Sequence, residues 1–336
     1  MHSTFDTTDS LIDNFGRKVS YLRLSVTDRC DFRCIYCMGE DMTFVPRAQI
    51  LSLEELAQVA QAFTELGVTK IRVTGGEPLI RRNLLTLLTR LSSLPGLNEL
   101  CLTTNGSRLR EYAKPLVDAG VARINVSLDS LRPERFKTLT RHGDLATVLA
   151  GIRAAQKAGF QRIKLNSVLM QHYNVDEFLD LVRFALDNNL DISFIEEMPL
   201  GHVTSHARAD EFISSHLLRE QLQNHFHLHP VSIDNGGPSR YWEAQGYSSR
   251  IGFISPHSEN FCGSCNRVRV TAEGRLLLCL GNEHGVDLRA IVRNHPGDKQ
   301  RLRAAIVQSM SIKPEKHHFD LQGAPQILRF MNSTGG

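Results

Sequence analysis

Apolar and polar positions alternate through Tyr21-Leu-Arg-Leu-Ser-Val-Thr27, the pattern of a strand with two unlike faces. Further β-branched runs lie near residues 69–74, 98–103, 122–127, 161–168 and 191–196. Between them the apolar spacing lengthens from two to three or four, which predicts helices. One starts at Ser52-Leu-Glu-Glu-Leu, where a serine cap precedes a glutamate at the third helical position. Others cover Asn83 to Leu94, Leu109 to Asp118, Thr147 to Ala158 and Val175 to Asn188, and Gly67, Gly120 and Gly159 follow three of the helices as terminators. Six strand-helix units imply parallel strands joined by right-handed crossovers. A closed barrel of this kind needs eight, so the expected fold is α/β, an incomplete, open-sided (β/α)6 TIM-like barrel with its ligands at the carboxyl ends of the strands. After about residue 200 the rhythm fades. Residues 1–200 are therefore expected to form the partial barrel, and 201–336 a C-terminal region that closes its cavity.

Composition narrows the class. A chain of 336 residues with 41% hydrophobic content can bury one large core and a smaller satellite region. No apolar run approaches the roughly 18 residues of a membrane span. Met1-His-Ser-Thr-Phe-Asp6 carries neither a basic nor an apolar leader, so a cytoplasmic location away from membranes is expected. A net charge of +3 argues against a nucleic-acid partner. Thirty arginines against nine lysines favour planar, bidentate contacts with phosphate or carboxylate at selected positions. Seven clustered cysteines read as metal ligation rather than a secreted disulfide scaffold. Cys101, inside a strand, reads as a buried, inert thiol.

The other six cysteines fall into two triplets. Cys30-Asp-Phe-Arg-Cys34-Ile-Tyr-Cys37 leaves the first strand with the spacing of a 4Fe-4S loop, and three thiolates would leave one iron free to bind a small molecule. Structural zinc is the competitor, but no histidine or fourth cysteine lies just beyond Cys37 to close its tetrahedron. Cys262-Gly-Ser-Cys265, followed after thirteen intervening residues by Cys279, is a second candidate. Here zinc is a stronger rival, because His257 or His284 could complete four ligands. Arg267 and Arg269 alternate with apolar residues directly after Cys265, which puts two cations on one strand face beside the metal and points to a polyanionic substrate. The alternating His225, His227 and His229 read as surface residues.

Gly75-Gly76-Glu77-Pro78 follows the second strand, where bare backbone can approach a ligand closely. With the cysteine loop and this turn both in place, the chain resembles the radical S-adenosylmethionine superfamily. The resemblance tightens, nearly end to end, to its GTP 3',8-cyclase family. It is carried by Asp13-Asn-Phe-Gly-Arg17, Tyr21 to Cys30, Ile71 to Arg81, Leu102-Thr-Thr-Asn-Gly106, Asn125-Val-Ser-Leu-Asp-Ser130, Phe253-Ile-Ser-Pro256, Phe261 to Arg269 and the terminal Gly335-Gly336. Asp31 stands where that family often has Asn, and Met38-Gly39 replaces a frequent Met-Pro, without loss of a ligand.

The resemblance implies two 4Fe-4S clusters, on Cys30, Cys34 and Cys37 and on Cys262, Cys265 and Cys279. It places S-adenosylmethionine at Tyr36, Gly76, Glu77, Ser127 and Met198. GTP falls to Arg23, Arg72, Thr103, Lys164, Arg267, Val268 and Arg269, and catalytic roles to Arg23, Arg267, Arg269, Gly335 and Gly336. A 5'-deoxyadenosyl radical would remove hydrogen from ribose C3', and the carbon radical would add to guanine C8, giving (8S)-3',8-cyclo-7,8-dihydroguanosine 5'-triphosphate in the first step of molybdenum cofactor biosynthesis. A flavodoxin-like or ferredoxin-like electron donor, a downstream cyclic pyranopterin monophosphate synthase and a homodimer come with it. Two alternatives are another two-cluster radical enzyme acting on a peptide and a non-catalytic metal-binding regulator.

Overall fold

In the computed structural model, which describes residues 11–232, 237–322 and 326–335, all six expected strands form: β1 (Tyr21–Ser25), β2 (Lys70–Thr74), β3 (Glu99–Thr104), β4 (Arg123–Ser127), β5 (Arg162–Val168) and β6 (Asp191–Ile195). Between them run α1 (Leu53–Glu65), α2 (Leu84–Ser92), α3 (Leu109–Asp118), α4 (Pro133–Thr140), α5 (Leu145–Ala158) and α6 (Phe178–Asp187). The start signal of α1 works as read: the Ser52 hydroxyl accepts from the Glu55 amide, and the Glu55 carboxylate accepts from the Ser52 amide. The sequence reading missed α4, a helix of only eight residues opened by Pro133. It has no long apolar stripe, but Phe136 and Leu139 bury its inner face.

The C-terminal half does more than cover the opening. It adds β7 (Leu228–Val231), β8 (Arg240–Ala244), β9 (Arg250–Ile254), β10 (Arg267–Val270), β11 (Arg275–Leu277) and β12 (Gly285–Asp287). The twelve strands form one sheet in the order β12-β11-β10-β1-β2-β3-β4-β5-β6-β9-β8-β7. Strand β10 pairs in parallel with β1, and β9 in parallel with β6, so eight parallel strands stand in a row. That row does not close, because each end continues into antiparallel strands.

The sheet's two faces are sharply different. Leu22, Leu24, Ile71, Val73, Leu100, Leu102, Ile124, Val126, Leu165 and Phe194 pack into the main apolar core. The alternate positions, including Arg23, Arg72, Thr103, Asn125, Lys164 and Arg269, line a cavity on the inner face. A complete barrel fills its interior with branched apolar side chains. Here the period of two delivers polar groups inward instead, which leaves room for ligands.

Candidate active site

Among the described residues, one cavity is lined by all six cysteines of the two triplets, Cys30, Cys34, Cys37, Cys262, Cys265 and Cys279. Cys101 is excluded from it and fully buried in β3. The first triplet sits in the loop after β1, and the turn after β2 is packed against that loop's backbone. A Cβ on Gly76 would lie 2.3 Å from the Arg29 carbonyl oxygen, so no other residue fits there. The Gly76 amide donates to the Thr27 carbonyl (2.7 Å) and the Glu77 amide to that of Arg29 (2.8 Å). These amides therefore fix the cysteine loop rather than point at a ligand. The Glu77 carboxylate is buried and accepts from the Leu79 and Asn105 amides and the Thr104 hydroxyl. It bridges the turns after β2 and β3 behind the cavity wall, away from where a cofactor contact was expected.

Acids crowd this side. Asp31 accepts from the Asn105 amide group (2.7 Å) and from the Ser107 hydroxyl (2.6 Å), locking the cysteine loop to the loop after β3. Tyr36 donates to Asp129 (2.7 Å), which also accepts from the Val168 amide. Burial raises the Asp129 carboxyl to about 6, against the opposing pull of those two donors. Burial likewise pushes the three thiols up, Cys37 to about 12, with Asp129 adding to the rise. Ser127 and Met198 line the same wall, at the ends of β4 and β6.

Cations crowd the other side. Strand register sets Arg269 beside Arg23 and Arg23 beside Arg72 on three adjacent strands. Arg72 donates to the Tyr21 hydroxyl (2.7 Å) and the Leu102 carbonyl. Burial raises the Tyr21 phenol, but Arg72 and Arg23 outweigh it and bring it down to about 8. Burial, with Arg72 and Arg267, lowers Arg23 to about 10 against the opposing pull of Tyr21, and burial with Arg23 and Arg267 lowers Arg269 well below its ordinary value. Repelling guanidiniums with little acid among them form a site that an anion would complete. Lys164 reaches the same cavity beside the Tyr241 hydroxyl (3.3 Å). Val268 turns its side chain to the core, so only its backbone faces this way.

The second triplet stands next to these cations. Arg267 approaches the Cys265 sulfur to 3.9 Å and Lys313 to 3.8 Å. Burial would raise Cys265, but Arg267 and Lys313 bring it down to about 7. Burial keeps Cys279 raised. Sequence reasoning missed Lys313, which lies far from any motif, and His317, which lines the cavity beside Gly281 and Phe319. His257 bonds the Glu197 carbonyl instead of joining the cysteines. Among the described residues, no three His, Cys, Asp or Glu side chains are gathered into a site for a single ion. A cubane asks for something else, one thiolate per iron. His225, His227 and His229 are exposed.

The tail enters the cavity. The Met331 amide donates to the Cys37 carbonyl and the Asn332 amide group to that of Asp28. The Gly335 carbonyl accepts from Arg269 (2.8 Å) and Arg23 (3.2 Å). Gly335 has a φ of +77°, and a Cβ there would lie 2.4 Å from the Thr74 hydroxyl. Gly336 lies outside the described residues. Unpartnered polar atoms complete the picture: the Thr74 and Thr103 hydroxyls and the Asn166 carbonyl oxygen are buried in this region without a hydrogen-bond partner. Buried polar atoms left so are places where a ligand's own groups fit.

Comparison with known proteins agrees with this arrangement. The family model described as Radical SAM superfamily matches residues 24–185. The one described as Molybdenum Cofactor Synthesis C matches residues 190–319. A Saccharophagus degradans protein named GTP 3',8-cyclase is 65% identical over 97% of this chain and 99% of its own. A Pseudomonas entomophila protein of the same name is 62% identical over 97% of this chain and 98% of its own. Among solved structures, Streptococcus suis SuiB matches with a TM-score of 0.60 at 15% identity, over 86% of this chain and 69% of that one. The same protein bound to S-adenosylmethionine gives 0.59 at 15% identity, over 94% and 77%. The SuiB likeness carries the fold alone.

Proposed function

Because the chain belongs to the GTP 3',8-cyclase family of radical S-adenosylmethionine enzymes, we propose that it converts GTP into 3',8-cyclo-7,8-dihydro-GTP, the first step of molybdenum cofactor biosynthesis. The observation that supports this most is the shared cavity: two cysteine triplets and an arginine cluster line it together. Cys30, Cys34 and Cys37 fit one 4Fe-4S cluster, and Cys262, Cys265 and Cys279 a second. When bound, the first cluster and S-adenosylmethionine supply the hydrogen-abstracting radical, as cofactors carry the hard step in such enzymes.

The chain's own residues position and neutralise. Asp129 holds the Tyr36 hydroxyl, so the ring that borders the first triplet keeps one orientation for a cofactor that carries positive charge. Ser127, Met198 and the close-packed Gly76 shape that wall. Arg23, Arg72, Lys164, Arg267 and Arg269 take the triphosphate, where charge-assisted hydrogen bonds to several oxygens hold the ribose still. Thr103 offers a free hydroxyl to the same ligand. Arg23 and Arg269 also grip the Gly335 carbonyl, so the tail and the substrate meet at the same cations and the tail shapes the pocket in which the ring closes.

The electron comes from a flavodoxin-like or ferredoxin-like donor, the product passes to cyclic pyranopterin monophosphate synthase, and the enzyme works as a cytoplasmic homodimer; family membership supports these three. Among the described residues no helix is long and apolar enough to cross a membrane. The test is anaerobic incubation of the iron-loaded protein with GTP, S-adenosylmethionine and a strong reductant. Formation of 5'-deoxyadenosine together with the cyclised nucleotide supports the reading. Turnover of S-adenosylmethionine without any change to GTP would refute it.

A further inference from the structure

Lys313 is a buried cation with an unusual partner. It is 3% exposed, and among the described residues it forms no ion pair with a carboxylate. Its ammonium lies 3.2 Å from the Leu278 carbonyl and 3.8 Å from the Cys265 sulfur. A lysine held this deep without a counter-charge is costly, unless the sulfur beside it carries negative charge. A metal-bound thiolate does.

The chain fixes this lysine in place by a second device. Arg17, paired with Asp13 at 2.6 Å, donates to the carbonyls of Pro314 (2.6 Å) and Glu315 (2.6 Å) and to that of Cys262 (2.8 Å). One buried guanidinium thus ties the backbone of the first cysteine of this triplet to the segment that carries Lys313. The Lys313 amide also closes the short turn Met310–Ile312 on the Met310 carbonyl. Asp13 and Arg17 thereby hold the backbone that carries the lysine beside the cysteine turn, and the Leu278 carbonyl orients its ammonium.

We propose that Lys313 is a charge-setting positioning residue: it donates an N–H···S hydrogen bond to the Cys265 thiolate and raises the reduction potential of the second cluster. This rests on the assignment of Cys262, Cys265 and Cys279 as that cluster's ligands. The physical reason is general, since a fixed cation and a hydrogen bond to sulfur both favour the more negative, reduced state. The first triplet also receives N–H···S bonds, from the Phe32 amide (3.4 Å) and the Asn105 amide group (3.7 Å), but the charges beside it are acids, so it is the fixed cation that drives the two potentials apart.

The test uses the full chain, loaded anaerobically and labelled with 15N-lysine. Pulsed paramagnetic resonance of the reduced protein should show a lysine-15N coupling to the second cluster, and K313M should abolish it. In a redox titration K313M should shift the second cluster's midpoint downward with the first unmoved, and K313R should restore it. Roughly eight irons with no lysine coupling in the unsubstituted protein would overturn the proposal, as would a K313M midpoint that does not move. Roughly four irons would instead remove the second cluster, and the reading on which the proposal rests would fall first. Should K313M lose the cluster, the labelled unsubstituted protein decides alone.

Discussion

The charges that act on the Cys30, Cys34 and Cys37 thiols come from the acids Asp31, Glu77 and Asp129, with Arg33 reaching only the Cys30 carbonyl (2.6 Å), whereas Cys265 stands beside Arg267 and Lys313. Cys262 is buried, the other five ligand cysteines are half-buried, and both triplets line the same cavity, so exposure alone does little to separate them. The sign of the surrounding charge separates them. Burial, with Asp129 adding to it, leaves Cys37 near 12 and burial keeps Cys279 raised, whereas Arg267 and Lys313 bring Cys265 down to about 7. On the proposed reading, the side that holds Asp129 suits a sulfonium cofactor that also carries an amino group, and the side that holds Arg23, Arg72, Arg267 and Arg269 suits a polyphosphate.

The comparison breaks most completely when one triplet is removed. Cys34→Ala should abolish product formation and lower the iron content from roughly eight to roughly four per chain, while GTP binding persists. Loss of GTP binding in this variant would show that the two sides are not independent. Arg269→Ala comes next. It removes a charged donor, worth about 1.5–3 kcal/mol, so GTP should bind about 10- to 100-fold more weakly. Affinity for S-adenosylmethionine should not change, and isothermal titration of both ligands would check the split.

On the acid side the expected effect is smaller. Asp129→Asn keeps the shape but weakens the hold on the Tyr36 hydroxyl, and S-adenosylmethionine affinity should fall several-fold with GTP affinity intact. Equal losses for both ligands would mean that the residue acts on the whole fold. The smallest effect is a pH slope. Tyr21 ionises near 8, below its ordinary 10. Because the folded value is the lower one, its ionised form adds stability above pH 10, and this is lost as pH falls through 8. The phenolate also neutralises Arg72 and Arg23, so GTP affinity should decline a few-fold as pH rises through 8. Tyr21→Phe should flatten that decline, and an unchanged slope would remove Tyr21 from the account.

Much of this was legible in the chain because it is local. A period of two at Tyr21–Thr27 and the capping pattern at Ser52 each declare an element within a few residues. The first cysteine spacing points to its ligand chemistry in the same way, whereas the second leaves zinc open until the resemblance is added. Pairing across hundreds of residues is not local. The alternation of Arg267 and Arg269 announces a strand but not that it joins β1, which is what sets Arg269 against Arg23. Lys313 follows no motif and earns its place by a backbone path that Arg17 anchors. The Gly75-Gly76 turn reads as bare backbone open to a ligand, and its packing against Thr27 and Arg29 turns the Gly76 and Glu77 amides inward instead. Burial of Glu77 shows the same lesson, since a motif tells which residue is needed without telling which way it faces.

The account's central claim is that the two ligands lie in one chamber, close enough for hydrogen to pass between them. GTP deuterated at C3' tests this directly in a single anaerobic turnover with S-adenosylmethionine and reductant. The account predicts one deuterium in the 5'-deoxyadenosine and none retained at C3' of the cyclised product. Unlabelled 5'-deoxyadenosine from fully deuterated substrate would contradict it.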